Sequence, residues 1–173
     1  MGLVVATWGV LCVLMLLTQA VWRLTPLAVD ALRSGLSPVE ITILVVWTVV
    51  AAYAEGYRGF QKAFSVRVVN RAFHLGHHPR PLHVVLALPY CMALMHATRR
   101  GLIRSWVLLV SMICLVVLVK LMPQPWRGIV DAGVVVGLAW GAVSIVVLFL
   151  RGAMFGPAPP RDLPEPAVAQ QSA

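Results

Sequence analysis

The sequence predicts an all-α fold, a polytopic helical bundle in a membrane with four transmembrane helices and a basic interfacial helix. The chain is 60% hydrophobic and 12% charged, whereas soluble domains are about half apolar and about a quarter charged. Its apolar residues are gathered into long uncharged runs, and about 20 such residues cross a hydrocarbon core of about 30 Å. Charged residues flank these runs. A single membrane domain is therefore predicted over residues 1–151.

The first two spans are predicted at about 1–22 and 41–57. Residues 1–22 carry no charge, and they lack the basic start and the cleavage site of a signal peptide, which favours an uncleaved helix. Residues 23–40 contain Pro26, Gly35 and Pro38 and are predicted to form a loop, in which residues 24–32 could form a short surface helix. This loop ends in Ser37-Pro38-Val39-Glu40, a helix-start pattern with an N-cap, a proline and an acid in the first turn.

A basic segment follows the second span. Arg58, Lys62, Arg67 and Arg71 recur at near-helical spacing with apolar residues between them. This pattern predicts a short amphipathic helix at the membrane surface. The glycine and prolines of residues 74–81 are expected to end it.

The last two spans are predicted at about 106–122 and 129–150. Residues 123–127 form a tight turn between them with an interfacial tryptophan, Trp126. Residues 152–173 contain five prolines and no apolar periodicity, so they are predicted to be a disordered tail.

Residues 81–98 leave two topologies open. They are uncharged over 18 residues and could form a fifth span, but Pro89 at their centre suits a re-entrant or interfacial element. Five spans would divide the 14 basic residues seven to seven, whereas four spans place ten on one side and four on the other. Because basic residues collect on the cytoplasmic side, four spans with both termini in the cytoplasm are preferred. The expected location is a bacterial inner membrane.

The formal net charge of +8 would suggest nucleic acid as the partner of a soluble protein. Here the basic residues flank apolar runs, so anionic lipid headgroups are the predicted partner and nucleic acid is not. The residues predicted to face headgroups are Arg58, Lys62, Arg67, Arg71, Arg99, Arg100 and Arg104.

Two acids are candidate functional residues, Glu55 at the inner end of the second span and Asp131 in the first turns of the last. Acids inside a membrane are costly and often functional. The competing interpretation is structural, since Arg58 and Arg127 are spaced to pair with them along a helix. Four spans would place the two acids at opposite membrane faces, which argues against a shared site.

The histidines give only a weak haem or metal signal, carried by His77, His78, His83 and His96. His83 and His96 would project about 140° apart on one ideal helix. The others lie near no cysteine or carboxylate. No cofactor and no metal are predicted.

Gly133, Gly137 and Gly141 form a small-residue stripe on the last span. Such stripes let helices approach closely in lipid, so the stripe is predicted to be a packing surface. Its partner is either another span of this chain or a second membrane protein. Small residues between Ala51 and Gly59 give the second span a matching face.

The sequence contains no phosphate-binding loop, nucleophile elbow or paired catalytic carboxylates. This favours a small non-enzymatic membrane protein, a subunit or assembly partner of a larger complex. One alternative is a transporter or channel using Glu55 or Asp131, although the spans offer few polar groups. Another is a redox protein that binds haem through His83 or His96.

Overall fold

The computed structural model describes residues 2–77, 81–95 and 97–156. Within them the chain is helical and forms no strand, which confirms the all-α prediction. The elements are α1 (Gly2–Arg33), α2 (Pro38–Ala51), a π-helix (Ala52–Phe64), α3 (Ser65–His77), α4 (Pro81–Val85), α5 (Ala87–Cys91), α6 (Arg99–Lys120) and α7 (Trp126–Phe155). The last turn of α7 covers the start of the predicted tail, and residues 157–173 lie outside the described part of the chain.

Among the described residues, four helices are long and apolar enough to cross a membrane, which confirms the predicted number. They are α1, α6, α7 and one continuous 40-residue helix, Pro38–His77, here called the long helix, which α2, the π-helix and α3 form together. Residues 81–95 instead contain two helices of five residues each. Because a span needs about 20 residues, the described part of this segment forms no fifth span.

The first loop is shorter than predicted because α1 continues through Pro26 to Arg33. The added turns bury Ala28 and Ala31, and Gly128 at the start of α7 lies directly against Ala31. A proline inside a helix removes one hydrogen bond and crowds the preceding turn, which costs about 3 kcal/mol. Packing against α7 supports this part of α1, so the helix predicted at residues 24–32 is the end of α1 and not a separate surface helix.

The turn between α1 and α2 is built as predicted. Gly35 adopts a φ of +79°, a left-handed conformation that glycine reaches without steric cost. The Ser37 hydroxyl accepts a hydrogen bond from the Glu40 N–H at 3.4 Å, and the Ser37 N–H donates to the Glu40 carboxylate at 2.7 Å. This reciprocal pair is a capping box that starts α2 with Pro38 in its first turn.

The chain divides into two compact units. The first contains Met1–Val13, Val66–Ser111 and Ile145–Ala173, and the second contains Leu14–Ser65 and Met112–Ser144. The four long helices each contribute to both units, whereas α4 and α5 belong to the first unit alone.

Helix α3 forms the core of the first unit. Its buried residues are Val68, Val69, Arg71, Ala72, Phe73 and Leu75. Gly9 of α1 packs against Ala72, and the Phe73 ring stacks on Phe149 of α7 with centroids 5.2 Å apart. The amphipathic pattern of this segment predicts a helix at the membrane surface, but in the structure its apolar face is buried against protein. Amphipathic periodicity shows that a face must be covered and does not distinguish protein from lipid.

Candidate functional site

The candidate site lies in the second unit, where the π-helix passes the glycine stripe of α7. A Cβ added at Gly133 would lie 2.5 Å from the Trp47 Nε1, and one at Gly137 would lie 3.1 Å from the Glu55 Oε2. A Cβ added at Gly141 would lie 2.5 Å from the Phe60 ring. The stripe therefore packs against the long helix of the same chain, the first of the two alternatives left by the sequence.

The π-helix keeps this interface continuous. Because a π-helix is closed by i→i+5 hydrogen bonds, residues four and five positions apart share a face. Gly56 packs against Trp140, Phe60 packs against Gly141, and the Ser65 hydroxyl donates to the Gly141 carbonyl at 3.4 Å. The wider winding thus carries contacts with α7 from α2 as far as the start of α3.

The matching face of the long helix differs from the predicted one at its end. Gly59 belongs to the predicted face, but it is exposed, and the nearest atom to an added Cβ is the Ala54 carbonyl oxygen at 3.4 Å. The prediction used the spacing of an α-helix. In the π-helix that spacing turns Gly59 away from α7, and Phe60 takes its place.

Glu55 lies half-buried with its carboxylate against Gly137. Within the described residues it makes no ion pair, so the predicted pair with Arg58 is not formed. Residues three apart are neighbours on an α-helix. The wider π-turn separates them, which leaves Arg58 exposed on another face.

Asp131 forms the predicted local pair. Its Oδ2 lies 3.8 Å from the Arg127 Nε, four residues earlier on α7. Asp131 is only 4% exposed, and neither atom of the pair makes a hydrogen bond within the described residues. The contact is therefore an ion pair without a hydrogen bond.

The two acids are closer than the predicted topology implied. Both belong to the second unit, and Glu55 contacts Gly137, six residues after Asp131 on α7. That spacing is about 9 Å along a helix axis. Glu55 and Asp131 are therefore not at opposite ends of α7.

The exposed side of the π-helix carries a group of aromatic and basic side chains, here called the cationic face: Tyr53, Tyr57, Arg58 and Lys62. The two tyrosine rings stack with centroids 5.9 Å apart, and the Lys62 ammonium lies 4.5 Å from the centroid of the Tyr57 ring. Arg58 and Lys62 are both exposed. Neither makes an ion pair within the described part of the chain.

The cationic face lies beside the middle of the apolar run of α7. Gln61, next to Lys62, accepts a hydrogen bond from the Trp140 Nε1–H at 2.9 Å. Trp140 lies 11 residues after Ile129 and ten before Leu150, the ends of the uncharged run. It is thus about 17 Å along the helix from the start of that run.

Arg71, also predicted to face headgroups, is fully buried in the first unit. Its Nε donates to the Tyr90 carbonyl at 2.7 Å, and its Nη2 donates to the Met95 carbonyl at 2.8 Å. The guanidinium carbon also lies 4.5 Å from the centroid of the Tyr90 ring. Arg71 therefore holds the end of α5 and the turn after it against α3.

The other predicted headgroup residues have different environments. Arg67 is half-buried and donates from Nη1 to the Ser105 hydroxyl at 3.2 Å. Arg99 is exposed at the start of α6. The side chains of Arg100 and Arg104 lie outside what the structure describes.

Two of the described histidines contact aromatic or backbone groups. His83 stacks on Tyr90 with centroids 4.9 Å apart, and the Nδ1 of exposed His77 lies 2.7 Å from the Phe73 carbonyl oxygen. His78 and His96 lie outside the described residues. Among the side chains that the structure does describe, no group of three His, Cys, Asp or Glu could hold a metal ion.

Cys91 follows Tyr90, whose carbonyl group accepts a hydrogen bond from Arg71, and it is fully buried. Burial raises the pKa of its thiol to about 12, although the Arg71 guanidinium acts in the opposite direction. A thiol with so high a pKa is unreactive near neutral pH, because the thiolate is the nucleophile. Cys91 therefore serves as a small apolar side chain in the core of the first unit.

Comparison of the chain with protein-family models, with curated proteins and with solved structures found no match.

Two features of the geometry were not predicted, the π-helix and the burial of Arg71. Neither has a specific sequence signal, since both depend on which elements pack together.

Proposed function

We propose that this chain is a small non-enzymatic protein of a bacterial-type inner membrane, and that it acts as a subunit or assembly partner of a larger membrane complex. One observation carries the proposal. The cationic face of the π-helix is exposed among the described residues, level with Trp140 in the middle of the apolar run of α7.

Such a face is unfavourable in lipid. A lysine or arginine at the centre of a spanning helix costs about 2.5–3.5 kcal/mol on insertion scales. Charged residues at this depth usually face other protein or a water-filled cavity, and those near helix ends reach the interface. Arg58 and Lys62 are exposed on the isolated chain and lie near neither end of the α7 run. A second protein that covers them removes this cost.

The geometry of the first unit supports the proposed orientation. A Cβ added at Gly2 would lie 2.8 Å from the Gly76 carbonyl oxygen, and one at Gly152 would lie 2.8 Å from the Phe73 ring. Both ends of the described chain therefore pack on α3. With four spans and without counting Arg58 and Lys62, this side holds eight basic residues and the other side holds four, so the positive-inside rule assigns it to the cytoplasm.

We expect the full chain, extracted from its native membrane in a mild detergent, to migrate on native electrophoresis well above its own 18.8 kDa. We expect this because a second protein that covers the exposed cations of the cationic face would stay bound to the chain. Mass spectrometry of the particle should identify at least one other membrane protein in fixed ratio. A particle that contains this chain alone, as monomer or oligomer, contradicts the proposal.

Cysteine labelling tests the orientation. The native cysteines are first replaced, and each variant then carries one new cysteine at an exposed position. We expect Ser34→Cys, in the turn before α2, to react with a membrane-impermeant maleimide in intact cells. His77→Cys and Arg99→Cys, at the ends of α3 and α6, should react only after the cells are opened. Labelling of His77→Cys and Arg99→Cys on different sides would instead require a fifth span.

A further inference from the structure

We propose that the cationic face binds a membrane-embedded segment of a different protein, and that this segment presents a carboxylate to Arg58 and Lys62. This inference rests on the proposed function and names the chemistry of the partner. The geometry that carries it is the combination of two exposed cations, two exposed or half-buried tyrosines and a position beside Trp140 on α7.

The chain supplies no counter-charge to this face within the residues that the structure describes. Of its six acids, Asp162 and Glu165 lie outside these residues. Glu40 is used in the capping box, and Asp131 pairs with Arg127. Glu55 faces Gly137, whereas Arg58 is exposed and makes no ion pair with it. Asp30 is exposed on α1 and pairs with neither cation.

Depth and charge favour an acidic protein segment over the other occupants. A second copy of the chain on a two-fold axis would place the same cations against each other, because such an interface uses one patch twice. Lipid headgroups collect at the two membrane surfaces, away from the middle of the α7 run. A carboxylate within a spanning helix is itself costly unless it is paired. Pairing therefore removes an unfavourable charge from both proteins.

The arrangement of the face also suits a carboxylate. Lys62 is held over the Tyr57 ring at 4.5 Å, so its ammonium is positioned before a partner arrives. Arg58 offers a planar guanidinium that can donate two parallel hydrogen bonds to one carboxylate. The hydroxyl groups of Tyr53 and Tyr57 are further donors on the same side.

A photoreactive phenylalanine in place of Tyr53, in the full chain in its native membrane, tests this inference. We expect irradiation to give an adduct with a spanning segment of another protein that contains Asp or Glu. The double variant Arg58→Glu, Lys62→Glu should lower the adduct yield at least tenfold, and replacing the partner's acid by lysine should restore it. The matched control Arg23→Glu, Arg33→Glu, which reverses two exposed cations of α1, should leave the yield unchanged.

Other outcomes overturn the inference in distinguishable ways. If the crosslinked segment contains no acid, or if the adduct yield is unchanged by the double charge reversal, the partner protein is supported but its carboxylate is not. If the crosslink forms to phospholipid or to a second copy, or if no adduct forms, a different protein does not bind this face. Rapid reaction of Lys62→Cys with an aqueous maleimide would show that water, and not protein, covers the cations. If the carboxylate inference is overturned, the proposed function still stands while native electrophoresis shows a larger particle. Both proposals fail if native electrophoresis shows this chain alone.

Discussion

Gly128→Leu is expected to force α1 and α7 apart and to lower the free energy of unfolding by about 3 kcal/mol or more, at the upper end of overpacking effects. A Cβ at this position would overlap the Ala31 Cβ and would lie 2.8 Å from the Leu27 carbonyl oxygen. Neither atom can rotate away, since one is backbone and the other is attached directly to it. Unfolding of the purified chain by SDS in mixed micelles measures the loss.

The matched control is Gly59→Leu, in the same unit. An added Cβ there meets only the Ala54 carbonyl oxygen at 3.4 Å, and the residue is exposed. Its effect should stay within about 0.5 kcal/mol, as at ordinary surface positions. Equal losses in the two variants would mean that the close approach of α1 and α7 at Gly128 does not stabilise the fold.

Much of the architecture could be predicted from local sequence. Uncharged runs of sufficient length identify the crossing helices, because lipid leaves helices as one of the few ways to satisfy backbone hydrogen bonds. The Ser37–Glu40 pattern identifies the start of α2, since a capping box depends on residues three apart. The Arg127–Asp131 pair is local for the same reason.

The register between helices could not be predicted in this way. It depends on which small side chains of α7 meet which residues of the long helix, and on the π-winding that changes the shared face after Ala51. One consequence is that Glu55 faces α7 without Arg58. Another is that Gln61, which lies between Arg58 and Lys62 in the sequence, accepts a hydrogen bond from Trp140 in the middle of α7. These two consequences of the register determine which side chains form the candidate site.

The burial of Arg71 shows the same limit. In the sequence it is one of four basic residues at near-helical spacing, and nothing separates it from Arg58 or Lys62. In the fold, the α5 end and the following turn bring two carbonyl groups to its guanidinium. An arginine that satisfies carbonyl groups inside a protein has a structural role that charge counting cannot reveal.

Arg71→Met is expected to lower the free energy of unfolding by about 3–5 kcal/mol, because hydrogen bonds from a charged donor contribute about 1.5–3 kcal/mol each and their loss leaves buried acceptors unsatisfied. The carbonyl groups of Tyr90 and Met95 lose their donor, so the segment that carries α5 should open. Cys91 in that segment provides the second measurement. With a pKa of about 12, only about one thiol in ten thousand is ionised at pH 8. Opening should therefore increase maleimide labelling of Cys91 strongly.

Two variants separate the roles of charge and geometry at this position. Arg71→Lys keeps the charge but lacks the planar fork, so it should reach one carbonyl group and recover only part of the stability. Arg99→Met removes an exposed arginine and should change neither stability nor Cys91 labelling. If Arg71→Met destabilises the chain while Cys91 stays unreactive in the folded state, Arg71 supports the core of α3 without holding α5. If the lysine variant matches the native chain, charge alone is sufficient and the two carbonyl contacts are not what fixes this segment.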